Sequence, residues 1–146
     1  MTKDAFEIKI HSVIDNLDDL GTPDSDPEIN ITTLKGTADI SDGTGTLKYT
    51  EENEGQKIYT DITVLPDGRV ELKRRGALVS NMIFSENEAT KTIYEIPPYK
   101  FDMLIETKKI RNSLSANGGE LQLIYSMEVG GSRKNARMKI TLSPCK

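Results

Sequence analysis

Alternation of apolar and polar side chains is the feature that most constrains how this chain folds. In FEIKIHSVI, which begins at Phe6, the apolar residues Phe6, Ile8 and Ile10 alternate with polar ones. The same pattern recurs in KIYTDITVL from Lys57, in ELQLIYSMEV from Glu120 and in RMKITL from Arg137. Because successive side chains of a β-strand point to opposite faces, this pattern predicts strands with one buried face. No segment has a convincing helical period, so we expect an all-β fold.

Turn sequences separate the predicted strands at short, regular intervals. Leu65–Gly68 (LPDG) combines a proline that fixes φ with a glycine that tolerates positive φ, and Asn117–Gly119 (NGG) is a second turn. This spacing predicts one antiparallel barrel, closed or nearly closed, of about 8–10 strands. We expect it to form a single domain over residues 1–146, with the strand Phe6–Ile14 near the closure.

One long segment departs from the strand pattern. Asp15–Asn30 holds six acidic residues and two prolines, which predicts a solvated loop over about residues 15–30. Its carboxylates Asp24, Asp26 and Glu28 alternate, but the segment lacks the central glycine and distal glutamate of an EF-hand loop. We therefore predict no metal site.

Composition argues against several classes of protein. No apolar run approaches the roughly 18 residues that a membrane span needs, so no membrane partner is predicted. Cys145 is the one cysteine, which excludes an internal disulfide and favours a cytoplasmic protein. His11 is the one histidine, and no phosphate-binding or dinucleotide-binding glycine motif is present. We expect neither an enzyme nor a cofactor.

Charge is distributed unevenly along the chain. Residues 1–68 hold 5 Lys/Arg and 15 Asp/Glu, whereas residues 69–146 hold 14 and 8, within a net charge of −4. A basic half can mark a nucleic-acid surface, but such surfaces also need exposed aromatic side chains for stacking. The chain has 5 tyrosines, 3 phenylalanines and no tryptophan, and most lie on predicted apolar faces. Nucleic acid is therefore an unlikely partner.

Three consecutive cations interrupt a predicted strand, VELKRRG. By parity Val70, Leu72 and Arg74 share the buried face, whereas Lys73 and Arg75 point outward as ordinary surface charge. A buried arginine without a partner is costly, so it needs a carboxylate, a wet rim or an anionic ligand. The rim and a structural ion pair are the simpler alternatives to a ligand contact.

Several other polar side chains fall on predicted inner faces. In TLKYTEE, Tyr49 and Glu51 share a face with Leu47, so Glu51 is a candidate partner for Arg74. The candidate ligand-binding residues are Arg74, Glu51, Tyr49, Tyr94 and Tyr125, and Thr60 falls on the same interior. Alternatively, these groups satisfy one another in a filled core.

Taken in their order along the chain, the predicted strands resemble the YwiB-like family of uncharacterised bacterial barrels, which are related to the calycins. The resemblance rests on FEIKIHSVI, KYTEE, VELKRRG followed by MIF, YEIP followed by Phe101, ELQLIYSMEV and MKITL. The Arg-x-Gly element of the family matches Arg74-Arg75-Gly76. Its Tyr-x-Thr-Pro-Tyr-Gly element is kept only at Tyr94 and Pro97, and the sequence departs from it at Ile96, Pro98 and Tyr99. The acidic loop after Asp15 is a further departure.

The resemblance implies a calycin-type (lipocalin-like) barrel whose interior could hold a small ligand, and it carries no established activity. We expect a cytoplasmic, non-enzymatic protein that binds a small amphipathic or anionic molecule inside the barrel. The alternative is a structural or adaptor protein acting through its outer surface, and less favoured is a nucleic-acid-binding barrel. A continuous cavity favours the first, and a packed interior with an exposed apolar patch favours the second. Oligomeric state is not predicted.

Overall fold

Ten strands and no helix make up residues 4–145, the part of the chain that the structure, a computed structural model, describes. The strands are β1 (Asp4–Leu17), β2 (Glu28–Ser41), β3 (Thr44–Asn53), β4 (Gln56–Val64), β5 (Val70–Gly76), β6 (Ser80–Phe84), β7 (Ala89–Ile96), β8 (Tyr99–Asn112), β9 (Gly119–Val129) and β10 (Ser132–Pro144). Within these residues, no helix is long and apolar enough to cross a membrane. The predicted all-β fold is confirmed.

All ten strands belong to one antiparallel sheet that curls into a nearly closed barrel. Their order is β6-β5-β4-β3-β2-β1-β10-β9-β8-β7, so each strand except β1 and β10 pairs only with its neighbours along the chain. β1 and β10 pair with each other, from Phe6 opposite Pro144 to Leu17 opposite Arg133. The first and last strands are thereby joined at the middle of the sheet.

The ladder of paired strands is interrupted at a seam between β6 and β7, the two outer strands in the sheet order. At one end of the seam, Val79 and Glu95 exchange two backbone hydrogen bonds of 2.8 Å. Further along, the Thr90 hydroxyl donates a 2.8 Å hydrogen bond to the Ile83 carbonyl. The expectation that β1 lies near the closure is therefore wrong, because the seam lies between β6 and β7.

The barrel interior is a mainly apolar core. The predicted inner faces are the buried ones: Ile8, Leu72 and Ile140 each have 0% of their surface exposed. Phe84 is also fully buried, and its ring meets the ring of Tyr125 edge-on at a centroid distance of 4.8 Å. The alternation in sequence thus produces one apolar core on the inner face of the sheet.

Gly36 marks a change in the partners of β2. A Cβ at this position would collide with the Lys48 carbonyl oxygen and lie 2.6 Å from Cδ1 of Ile8, so only glycine lets β2 approach β3 here. Among the described residues, Gly36 to Ala38 pair with both β1 and β3, Asp39 to Ser41 pair with β3 alone, and residues 28–35 pair with β1 alone. The latter stretch is a free sheet edge.

The acidic loop is shorter than the predicted 15–30. β1 continues to Leu17 and β2 begins at Glu28, because β1 and β10 stay paired up to Leu17 and β1 and β2 up to Glu28. Asp18 organises the remaining loop: its Oδ1 accepts hydrogen bonds of 2.9 Å from the backbone N–H groups of Leu20 and Thr22. Among the described residues, no group of three or more His, Cys, Asp or Glu side chains is placed to hold a metal ion.

Candidate functional site

Four polar side chains form one row across the inner face of the barrel. Tyr49 on β3 lies opposite Thr60 on β4, Thr60 opposite Arg74 on β5, and Arg74 opposite Ser80 on β6. Thr60 and Ser80 are only 1% and 3% exposed. We call these four residues the polar row. It ends at Ser80, on the strand that borders the seam.

Arg74 differs from the two cations beside it. The side chains of Lys73 and Arg75 are 58% and 68% exposed, and they lie 3.6 and 3.7 Å from the carboxylates of Glu71 and Asp61. Arg74 is half-buried, and among the residues whose side chains are described it forms no ion pair within 4.0 Å. Its charge is therefore not neutralised by the protein.

Three atoms of the polar row are buried without a partner of good geometry among the described residues. They are Nε of Arg74, Oγ1 of Thr60 and Oγ of Ser80. Leaving such an atom unsatisfied costs about 1–3 kcal/mol, more for a charged group. The guanidinium N–H and the two hydroxyls are all hydrogen-bond donors, which is the set that an anionic oxygen accepts from.

Two tyrosines beside Arg74 are held in their neutral form. Burial raises the pKa of Tyr49, and the negative charge of Glu51 adds to this, while the charge of Arg74 and polar contacts with Thr60 and Arg74 oppose it. Burial also raises the pKa of Tyr125 to about 12 against the opposing charge of Arg74. Both hydroxyls thus remain protonated at neutral pH beside the guanidinium.

Glu51 and Tyr94 lie outside the polar row. Glu51 is half-buried and pairs in register with Ile58, so it belongs to the next row and makes no ion pair with Arg74 within 4.0 Å. The predicted alternative, a structural ion pair between Arg74 and Glu51, is therefore not observed. Tyr94 packs against the core from β7, opposite Phe101.

Sequence reasoning missed Ser80. The signal was present, because in SNMIF the residues Ser80, Met82 and Phe84 share a parity and all three are buried. Only the pairing of β5 with β6 places Ser80 opposite Arg74. The serine alone gives no indication of that contact.

A groove of about 610 Å³ opens at the seam beside the polar row. Its lining comprises Lys73, Arg74, Arg75, Val79, Ser80, Asn81, Lys91, Thr92 and Ile93. Val79 and Ile93 are 40% and 55% exposed there, so the groove joins an apolar surface to the partnerless groups of Arg74 and Ser80. The groove is therefore a space at the seam from which a ligand could reach Arg74 and Ser80.

Comparison with known proteins now places the chain. A family model described as a domain of unknown function, DUF1934, matches residues 8–142. The chain belongs to the DUF1934 family. The crystal structure of the YwiB protein from Bacillus subtilis matches 99% of this chain and 94% of that one, with a TM-score of 0.82 and 24% sequence identity. No curated protein matches the sequence.

The resemblance to YwiB-like proteins is thereby confirmed. At 24% identity the structural likeness establishes the nearly closed barrel and nothing about activity. This DUF1934 chain must be interpreted from its own residues.

Proposed function

We propose that this DUF1934 protein binds a small anionic or amphipathic molecule at the polar row, next to the seam between β6 and β7. The observation that carries the proposal is the row itself, in which Nε of Arg74, Oγ1 of Thr60 and Oγ of Ser80 are buried without partners. A carboxylate or phosphate oxygen accepts from all three kinds of donor and neutralises the guanidinium. A bound anion would therefore provide the hydrogen-bond acceptor that these donors lack within the protein.

The shape of the site supports an apolar group on the ligand. Val79 and Ile93 line the seam groove beside Arg74, and both are exposed. An anion bound at Arg74 would extend its remaining part over these side chains and remove their apolar surface from water. The proposed binding site therefore lies at the seam, whereas the sequence suggested the barrel interior.

The proposed role is binding and not catalysis. His11 lies on the outward-facing side of β1, opposite Lys139 and Ile31, and not on the inner face with the polar row. The tyrosines near Arg74 have raised pKa values, the opposite of what an activated nucleophile requires. A cytoplasmic location remains part of the proposal, supported by Cys145 as an exposed free thiol.

The first experiment is native mass spectrometry of the purified protein, followed by calorimetric titration of the ligand-free form with acetate, octanoate, phosphate and octyl phosphate. We expect at least one octyl compound to bind, and to bind more tightly than the short anion with the same headgroup. Arg74→Met should weaken that binding at least tenfold, while Lys48→Met, an exposed cation on β3, leaves it unchanged. Equal binding by wild type and Arg74→Met would show that the polar row is not the site.

A further inference from the structure

On the outer surface of the barrel, two neighbouring rows of side chains cross five strands. The first row runs Arg111, Gln122, Lys139, His11, Ile31, and the second runs Lys109, Ile124, Arg137, Val13, Ile29. Each row takes one residue from β8, β9, β10, β1 and β2 in turn. We call these ten residues the basic strip.

The basic strip concentrates positive charge in a chain of net charge −4. It holds four Lys/Arg side chains and no carboxylate. Among the described ion pairs only one reaches it, Lys139 with Glu120 at 3.7 Å. Lys109 and Arg137 flank Ile124 from opposite sides, so like charges are gathered across neighbouring strands. Both side chains are exposed, and neither forms an ion pair within 4.0 Å with a described side chain.

Apolar side chains lie among these cations. Ile29 and Ile31 are 60% and 59% exposed at the β2 end of the strip, on the stretch that pairs with β1 alone. A shallow depression of about 140 Å³ lies further in, lined in part by Val13 and Arg137. Exposed isoleucines beside cations are suited to a partner that is both acidic and apolar.

We infer that the basic strip is a docking surface for an acidic protein segment in which carboxylates are interspersed with apolar side chains. Strands spaced about 4.8 Å apart make the strip roughly 19 Å long, about the length of six extended residues. The carboxylates pair with cations such as Lys109 and Arg137, and the apolar side chains cover Ile29 and Ile31. Single-stranded nucleic acid fits less well, because the strip has His11 as its one ring and no Phe, Tyr or Trp on which successive bases stack.

This inference is independent of the polar row, so each can fail alone. The test uses fluorescence anisotropy with labelled 14-residue probes: a peptide alternating Glu and Leu, a peptide alternating Glu and Gly, and the oligonucleotide dT14. The protein variants are Lys109→Glu with Arg137→Glu, and Ile31→Ser. The matched control is Lys48→Glu with Lys57→Glu, which makes the same charge change at exposed positions on β3 and β4.

We expect the Glu/Leu peptide to bind wild type, and to bind at least tenfold more weakly at 500 mM than at 50 mM salt because charge pairing is screened. The Lys109/Arg137 reversal should weaken binding at least tenfold, Ile31→Ser several-fold, and the control less than twofold. The Glu/Gly peptide should bind several-fold more weakly than Glu/Leu. Tighter binding of dT14 than of the peptide, or equal losses in the strip and control variants, would overturn the inference.

Discussion

Thr60 and Arg74 lie directly opposite each other on β4 and β5, and Oγ1 of the threonine and Nε of the arginine make no hydrogen bond of good geometry with a described residue. Tyr49 lies beside both side chains, so two adjacent strands bring a half-buried cation and a buried hydroxyl together next to a phenol. Buried polar groups in native proteins are nearly always paired. The anion site proposed above would give Nε of Arg74 the acceptor that it lacks here.

Arg74→Met tests whether the arginine stabilises the ligand-free barrel. Because no carboxylate pairs with it, removing the half-buried charge should leave the free energy of unfolding within about 1 kcal/mol of wild type or raise it. Lys73→Met and Arg75→Met, which remove surface ion pairs, should each cost about 0–1 kcal/mol. Urea unfolding measures all three. A loss of about 3–5 kcal/mol confined to Arg74→Met would reveal a structural pair instead.

Tyr125 makes the barrel less stable in alkali. The folded protein holds its phenolic proton up to a pKa of about 12, whereas the unfolded chain releases it near 10.0. Between these values the unfolded state binds fewer protons, so stability is intact below pH 10 and falls as the pH rises towards 12, by about 3 kcal/mol in all.

Unfolding by urea at several pH values from 8 to 12 measures this effect. Tyr125→Phe should lose that part of the pH dependence, while Tyr99→Phe, at a side chain 66% exposed, should keep it. Parallel pH curves for wild type and Tyr125→Phe would contradict the assignment.

Gly36→Ala should disturb the packing of β2 on β3. The new methyl group meets the Lys48 carbonyl oxygen, a backbone atom that cannot move aside, and lies 2.6 Å from Cδ1 of Ile8. We expect a loss of about 3 kcal/mol or more in the free energy of unfolding. Gly55→Ala is the control, since it has open space but a φ of 79°, and should cost about 1–2 kcal/mol. Equal losses would mean that the strand shifts freely at Gly36.

The loop of residues 18–27 should bind no calcium tightly. Asp18 already uses one carboxylate oxygen to hold two backbone N–H groups of the loop, and no cluster of ligands surrounds Asp24 and Asp26 among the described residues. Calorimetric titration with calcium should give no stoichiometric binding in the micromolar range. Binding that disappears in Asp24→Asn with Asp26→Asn would show a metal site.

Parity in the sequence predicts much of the inner face. Val70 and Leu72 are fully buried, Arg74 continues their side of β5, and Lys73 and Arg75 are exposed. These predictions succeed because the side-chain period of a strand is fixed at two and needs no knowledge of its neighbours.

The pairing of residues across strands was not predictable in the same way. Parity in the sequence makes Glu51 a candidate partner of Arg74, but register places Glu51 opposite Ile58 and Arg74 opposite Thr60 and Ser80. Register and the position of the seam depend on turn geometry and on how the whole sheet curls. Those are long-range properties that the pattern within one strand does not contain.

The most direct test of the polar row observes Nε of Arg74 itself. Proton–nitrogen spectra of ¹⁵N-labelled protein resolve arginine Nε–H groups, and Arg74→Lys assigns the relevant signal. Titration with octyl phosphate or octanoate should shift the Arg74 Nε–H signal saturably and leave that of the exposed Arg75 unchanged. No shift at Arg74 at saturating concentrations of either compound, or equal shifts at every arginine, would contradict an anion site at the seam.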